Sequence, residues 1–129
     1  MARAKGRIGR DAYPVAIRAG NHDLIADEGA ALGGGDAGAA PFELLAASLV
    51  ACTAITLRMY ADHKGWPVES IVVEVHYLKE GDLPARIERT LALEGELDAD
   101  QRARLLDIAE RTPVTLAIRG GVPITTTLL

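Results

Sequence analysis

Cys52 is the only cysteine in the chain and the residue with the clearest chemical potential. A cysteine attacks an electrophile as the thiolate, which a nearby cation or a helix amino terminus stabilises. Cys52 lies about eleven residues into a predicted helix, too far along it for that helix's dipole to help. A nucleophilic role therefore requires a guanidinium from elsewhere. The alternative role is packing, because a free cysteine often behaves as a small apolar residue.

The other polar residues with chemical potential give weaker patterns. His22, His63 and His76 lie far apart without the spacing of metal ligands, so neither a metal nor a cofactor is expected. Ser48 is not set in a G-x-S-x-G pattern, which argues against a nucleophile elbow. Glu43 falls in the first turn of the predicted helix, where its charge complements the helix dipole.

Helix geometry limits any cooperation between Glu43 and Cys52. They are nine residues apart, which places them about two and a half turns and roughly 13 Å apart on opposite sides of a helix. The two side chains can meet only if the helix begins later than expected, or if Glu43 of a second chain packs against Cys52 of the first.

The helix that carries Cys52 is predicted from Pro41 to about Ala61. Proline suits a first turn, and Gly65 is a natural stop after the last one. Only 14 residues separate Glu43 from Arg58, whereas a membrane span needs roughly 20 apolar residues. Since apolar side chains cover nearly the whole circumference, we expect a buried central helix, wrapped by a sheet and by helices of this chain or of a second one.

The segments before this helix predict a hairpin and a connector. Weak alternation predicts strands at Tyr13–Ala19 and His22–Asp27, with Pro14 favouring an edge position for the first. Residues 28–40 are rich in glycine and alanine but lack the G-x-x-x-x-G-K-[ST] pattern of a phosphate-binding loop. We expect a flexible connector there.

The segments after the helix predict a second hairpin, a second helix and a last strand. Residues 68–79 and 85–94 alternate clearly, and Asp98 with Gln101 forms an approximate capping box that opens a helix ending at Pro113. A short turn at Val114–Ile118 and a strand at Val122–Leu128 follow. The order β-β-α-β-β-α-β predicts an α+β fold, and residues 1–129 are expected to form a single domain.

Composition excludes several classes of function. The net charge of −4 and the aromatic content of 4% give neither the basic surface nor the stacking platforms of nucleic-acid binders. One cysteine excludes an intrachain disulfide and a cysteine-based zinc site. No apolar run follows the basic amino-terminal stretch, so we expect a cytoplasmic protein without a signal peptide and without a membrane partner.

Three stretches of this sequence resemble the OsmC/Ohr family. The run GGGDAGAAPFELLAASLVACTAITLRMYADHKGWP is similar to its central segment, in which a loop and a proline precede a buried helix with A-A-C near its middle. The matching residues here are Val50-Ala51-Cys52. The run LDADQRARLLDIAERTPVTLAI is similar to a helix leading into C-P-V, and GVPITTTL to the closing strand. The resemblance covers roughly residues 13–128.

This resemblance implies an intertwined homodimer with active sites at the subunit interface. The better-known members of the family are thiol peroxidases that reduce organic hydroperoxides. In them the helix cysteine attacks the peroxide, and the C-P-V cysteine resolves the resulting sulfenic acid as a disulfide. An arginine from the amino-terminal strands and a glutamate beside the helix proline assist the first cysteine.

The match to the two family cysteines is incomplete. Cys52 matches the cysteine that attacks the peroxide, but Thr112 stands where the resolving cysteine would be. Threonine cannot form a disulfide, so a sulfenic acid at Cys52 would need an external thiol as reductant. Thr112 could instead donate a hydrogen bond into the cleft, or close the helix before Pro113.

The two assisting positions also depart from the family pattern. Phe42 stands where peroxidases carry glutamate, and Glu43 follows one residue later, rotated by about 100° around the helix axis. Arg10 is the first candidate for the assisting arginine, and Arg18 is the second. Both arginines could equally be solvated residues at a strand edge.

Two hypotheses of different class follow. The first is an OsmC/Ohr-type enzyme that reduces an organic hydroperoxide through Cys52, with Phe42, Leu45 and Met59 lining an apolar pocket. The second is a non-catalytic homodimer that binds an apolar small molecule in the interfacial cleft. We favour the enzyme because Cys52 is present where an apolar residue would pack equally well.

Overall fold

Three helices and two antiparallel sheets make up the α+β fold, which confirms the predicted class. The computed structural model describes residues 1–129, and its internal contacts divide the chain into two compact units, residues 1–45 and 46–129. The elements are β1 Ala4–Ile8, β2 Val15–Ala19, β3 His22–Ala26, α1 Pro41–Lys64, β4 Val68–Leu78, β5 Arg86–Gly95, α2 Ala99–Ala109 and α3 Pro113–Gly120.

The amino-terminal unit is built on a sheet in the order β1-β2-β3. The predicted β2–β3 hairpin is confirmed, with Ala19 opposite His22 across a turn in which Gly20 has a φ of +58°. The strand β1 was not predicted, because its glycine and basic residues hide the alternation. It makes β2 the central strand, so the predicted edge position was wrong; Pro14 lies just before β2 and removes no ladder hydrogen bond.

Asp27 organises the loop that leads from β3 towards α1. This carboxylate is buried, and it accepts backbone N–H groups from Tyr13 at 3.1 Å, Glu28 at 2.7 Å and Ala37 at 3.1 Å. The amide of Ala37, together with those of Glu28, Tyr13 and Gly35, lowers the pKa of Asp27 against the opposing effect of burial. The expected flexible connector is therefore pinned, and its amides are occupied by the chain's own carboxylate.

Glycines allow this loop to approach the sheet closely. A Cβ at Gly38 would lie 1.8 Å from the carbonyl oxygen of Ile25, and one at Gly34 would lie 2.0 Å from that of Glu28. The glycine-rich composition of residues 28–40 thus serves backbone packing around Asp27.

The helix α1 begins at Pro41 as predicted and runs one turn beyond Ala61, to Lys64, before Gly65 adopts a φ of +68°. Its burial differs from the prediction. One stripe, Leu49, Thr53, Leu57 and Ala61, is buried. By length and mean hydropathy α1 could cross a membrane, but the core helix of a soluble protein passes the same test.

Much of the rest of α1 is exposed in the single chain. Ile55 is 53% exposed and Met59 is 67% exposed. The helix is therefore not the all-round buried element that its apolar composition predicted. One chain of this length has too few elements to cover every face of so apolar a helix.

The carboxyl-terminal unit packs the β4–β5 hairpin and α2 against the buried stripe of α1. The hairpin and the capping box of Asp98 with Gln101 are both confirmed. The core of this unit comprises Leu57, Ala61, Val68, Leu105 and Ala109. Burying a leucine such as Leu105 contributes about 1.5–3 kcal/mol relative to leaving it in water.

The chain beyond α2 departs from the prediction. Helix α2 ends at Ala109, before Pro113, and the predicted turn at Val114–Ile118 belongs to α3, since a proline suits a helix start as well as a helix end. The predicted strand at Val122–Leu128 does not form in the single chain, where Ile124 is 88% exposed. An alternating segment becomes a strand only when it finds a partner strand.

The Asp27 carboxylate makes the stability of the amino-terminal unit pH-dependent. Because its folded pKa lies below the ordinary value of 3.8, its stabilising contribution is present above that value and is lost as the pH falls through the folded pKa. We expect Asp27→Asn to lower the free energy of unfolding at neutral pH and to flatten its decline in acid. Urea unfolding followed by circular dichroism across the acid range measures both effects.

The matched control for this experiment is Asp36→Asn, which alters an exposed carboxylate in the same loop. Asparagine tolerates the positive φ of +53° at this position. An acid profile that is equal for Asp27→Asn and the wild type would contradict the role given to Asp27.

Candidate functional site

Cys52 lies on α1 beside the buried stripe. Its thiol is partly buried and forms no disulfide. The backbone N–H of Val114 donates to Sγ at an N–S distance of 3.4 Å. Within residues 46–129, the hydrogen-bond donor to Sγ is therefore a main-chain amide. An N–H group aimed at sulfur stabilises negative charge there better than an apolar surrounding would.

The Val114 amide is available because it lies in the first turn of α3. Thr112 is the N-cap with a φ of −68° and a ψ of 151°, and Pro113 occupies the first helical position. The first amides of a helix have no acceptor within that helix. Val114 thus offers Cys52 an amide and the positive end of a helix dipole, both supplied by a second helix.

Arg89 ties the elements around this contact together. Its Nη1 donates to Oγ1 of Thr53 at 3.0 Å and to Oγ1 of Thr115 at 2.9 Å. Its Nη2 donates to the carbonyl oxygen of Ala109 at 2.8 Å. One guanidinium on β5 therefore binds α1, the end of α2 and α3 at once.

The charge of Arg89 is only partly compensated. Its side chain is 11% exposed, and the nearest carboxylate, Oε1 of Glu110, lies 3.9 Å from Nη2. Glu110 also pairs with Arg119, whose hydrogen bond is the main cause that lowers the pKa of Glu110. Positive charge consequently exceeds negative charge in this part of the carboxyl-terminal unit.

Thr112 is fully buried, and its hydroxyl lies 2.6 Å from that of Thr115. It stands at the start of α3, and not at the end of α2, which ends three residues earlier. Thr112, Thr115 and Thr53 form a continuous hydroxyl network with the Arg89 guanidinium. No buried side-chain polar atom is left without a partner.

The predicted assisting residues belong to the amino-terminal unit. Arg10 is exposed between β1 and β2, and Arg18 on β2 forms an ion pair with Asp23 at 2.9 Å. Oε1 of Glu43 accepts the backbone N–H of Ala40 at 2.8 Å. Glu43 therefore helps to begin α1, as its first-turn position suggested.

The predicted pocket residues lie on different parts of α1. Phe42 and Leu45 lie in its first two turns, whereas Met59 lines an apolar groove of about 360 Å³ together with Ile55 and Ile71.

A larger cleft, of about 430 Å³, lies within the carboxyl-terminal unit. Apolar side chains from the sheet and the helices line it, including Leu49, Leu91, Leu106 and Ile118. Arg89 and Thr115 also line it, so the cleft adjoins the network that joins Arg89 to Thr53 and Thr115. The structure contains no cluster of three metal-binding side chains.

Sequence reasoning missed Arg89 and the backbone donor of Val114. The sequence alternation could have revealed Arg89, because its position places it on the same inward-facing side of β5 as Ile87 and Leu91. A charged residue on the apolar side of an alternating strand indicates a buried polar contact. No residue type signals the Val114 donor, because every residue except proline carries the same N–H.

The fold is shared with proteins of known structure. A family model described as "OsmC-like protein" matches residues 33–127. An organic hydroperoxide resistance protein OsmC from Legionella pneumophila is 25% identical, with a TM-score of 0.64 over 93% of this chain and 90% of that one. No curated protein sequence matches significantly.

Two further solved structures share the architecture at lower identity. An OsmC-like protein from Mycoplasma pneumoniae is 14% identical, with a TM-score of 0.80 over 94% of this chain and 89% of that one. An organic hydroperoxide resistance protein from Elizabethkingia anophelis is 20% identical, with a TM-score of 0.72 over 94% and 89%. These two similarities concern the fold alone.

Proposed function

Because the chain belongs to the OsmC-like protein family, we propose that it reduces organic hydroperoxides through Cys52, with an external thiol as reductant. The observation that carries the proposal is the contact at Cys52, where the Val114 amide meets an unpaired, partly buried sulfur at 3.4 Å. A cysteine that serves only as packing needs no such donor.

The first step transfers one oxygen atom. The thiolate of Cys52 attacks the terminal oxygen of the hydroperoxide, the S–O bond forms and the O–O bond breaks. The alkoxide leaves and takes a proton from solvent to become the alcohol. Sulfur is oxidised to the sulfenic acid and the peroxide is reduced. The Val114 N–H stabilises the anionic sulfur before attack.

The second step requires an external thiol, because Thr112 stands at the resolving position. The thiol attacks the sulfenic acid, water leaves, and a mixed disulfide forms at Cys52. A second thiol then releases Cys52 and carries away the disulfide. Small thiols kept reduced in the cytoplasm suit this step, which accords with a cytoplasmic location.

Arg10 and Glu43 are proposed to assist Cys52 on the strength of the family resemblance. Phe42, Leu45 and Met59 are proposed on the same basis to line the substrate pocket.

We also propose that the protein is a homodimer. Ile55 and Met59 on α1 are exposed, and they line an apolar groove together with Ile71. Water disfavours such a surface. The unpaired segment Val122–Leu128 alternates like a strand and has no partner in its own chain. A second copy would cover both, as the resemblance implies.

The second candidate is a non-catalytic dimer that binds an apolar small molecule. The 430 Å³ cleft beside Arg89 favours it, because clefts of that size that combine apolar and polar side chains are typical of ligand sites. The polar residues in its lining include Arg86, Glu110 and Arg119. The fate of Cys52 under peroxide separates the two candidates.

Cumene hydroperoxide should convert Cys52 to a sulfenic acid. In the presence of dimedone, we expect a covalent adduct on Cys52 in the intact protein, detected by mass spectrometry and formed in proportion to peroxide. An added small thiol should compete with dimedone and regenerate the free thiol, since sulfenic acids react with both.

Cys52→Ser is the control and should give no adduct. A wild-type yield no greater than that of Cys52→Ser would overturn the peroxidase proposal. If Cys52→Ser and the wild type then bound an apolar fluorescent probe such as anilinonaphthalene sulfonate equally, the ligand-binding candidate would replace it.

Thr112→Cys should restore an internal resolving step. Thr112 precedes by two residues the Val114 amide that meets the Cys52 sulfur, and its buried side chain lies in the same first turn of α3. After one equivalent of peroxide, we expect a disulfide between Cys52 and the introduced thiol, seen as a mass loss of two hydrogens. Persistent dimedone labelling in this variant would contradict the placement of residue 112.

Met59→Glu should weaken the proposed homodimer. It places a charge on the exposed apolar face of α1, where burial of each large apolar side chain contributes about 1.5–3 kcal/mol. We expect dimers for the wild type and monomers for this variant by sedimentation velocity at micromolar concentration. Lys64→Glu, an exposed change about 140° around the same helix from Met59, is the control. A monomeric wild type would refute the dimer.

A further inference from the structure

We propose that Arg89 is a positioning residue for Cys52, holding its sulfur against the amide of Val114. This inference rests on the proposed function for its consequence in catalysis. The geometry itself belongs to the carboxyl-terminal unit and can be tested without any peroxide.

Arg89 links the two helices that meet at the Cys52 sulfur. Its Nη1 bridges Thr53, the residue after Cys52, and Thr115, the residue after Val114, at 3.0 and 2.9 Å. The two partners of the sulfur contact thus each lie one residue from an anchor on the same nitrogen. Cys52 on α1 accepts the N–H of Val114 on α3 at an N–S distance of 3.4 Å. The Arg89 bridge lies beside this contact and therefore sets the spacing of the two helices there.

A guanidinium is the side chain that can make this bridge. Its planar, fixed set of donors reaches several acceptors at once, whereas a lysine ammonium is a point charge on a flexible stem. Nη2 of Arg89 donates to the carbonyl oxygen of Ala109, and this hydrogen bond also fixes the end of α2. Its side chain is 11% exposed, so water competes little for these donors.

Thr112 acquires a role in the same network. Its hydroxyl lies 2.6 Å from the Thr115 hydroxyl, which accepts from Arg89. The residue at the resolving position therefore supports the bridge instead of reacting with Cys52. Thr112 therefore has a structural role of its own, in addition to being the residue that replaces a resolving cysteine.

The test compares Arg89→Met with Leu105→Ala. Methionine keeps the length and apolar stem of the side chain but removes every donor, whereas Leu105→Ala opens a cavity in the fully buried core of the same unit. The two variants separate loss of position from loss of stability. Urea unfolding gives the overall stability of each.

The first readout is hydrogen exchange at the Val114 amide, measured by NMR. In Arg89→Met we expect the exchange rate at Val114 to increase about ten times more than the exchange rates of the β4 amides do. In Leu105→Ala, Val114 should accelerate only as much as those amides. Equal behaviour of Val114 in the two variants would overturn the positioning role.

The second readout is the rate of dimedone-trapped oxidation by cumene hydroperoxide. A displaced nucleophile reacts roughly ten- to a hundredfold more slowly, so we expect that loss in Arg89→Met and little change in Leu105→Ala. Arg89→Lys should recover only part of the rate. An Arg89→Met rate equal to the wild-type rate would overturn the proposal.

If Arg89→Met does not fold, Thr53→Val tests the positioning role of Arg89 instead. This near-isosteric change removes one acceptor of Nη1 and should accelerate Val114 exchange selectively; unchanged exchange would overturn the proposal. If the wild type forms no sulfenic acid while the Val114 result holds, the proposed function fails and the positioning of Cys52 stands.

Discussion

The buried guanidinium of Arg89 is the interaction on which the carboxyl-terminal unit depends. A charge taken out of water costs several kcal/mol unless its donors are satisfied, and the chain satisfies it with groups from three helices. Thr53 on α1, the Ala109 carbonyl at the end of α2 and Thr115 on α3 all converge on it. The apolar core at Leu105 supplies the driving force of folding, and Arg89 restricts the helices to one arrangement around the sulfur.

Local signals predicted the elements that local chemistry determines. Pro41 marked the start of α1, and the box of Asp98 with Gln101 marked the start of α2. Elements that depend on distant partners were missed or misplaced. The strand β1 has a weak pattern and forms because β2 offers an edge, while Val122–Leu128, which was predicted as a strand, has no partner within the chain. In both cases pairing, and not propensity, decides the outcome.

The candidate site divides in the same way. Cys52 and Thr112 could be identified from the sequence, because their side chains carry the signal and a family resemblance gave it a meaning. Arg89 was visible in principle as a charge at an inward position of β5, but its three acceptors come from segments that only the fold brings together. The burial of α1 was overestimated because the composition of a helix shows what it could bury and not what is present to cover it.

The donor to the Cys52 sulfur belongs to the main chain, so most sequence changes at that position leave it in place. Side chains at Val114 can be exchanged for others without removing the N–H that meets Sγ. Proline alone abolishes it, and a proline already occupies the preceding position, where it begins α3 without competing for the sulfur. Most substitutions at residue 114 therefore change the shape of the surroundings of Cys52 and leave the N–H donor to its sulfur in place.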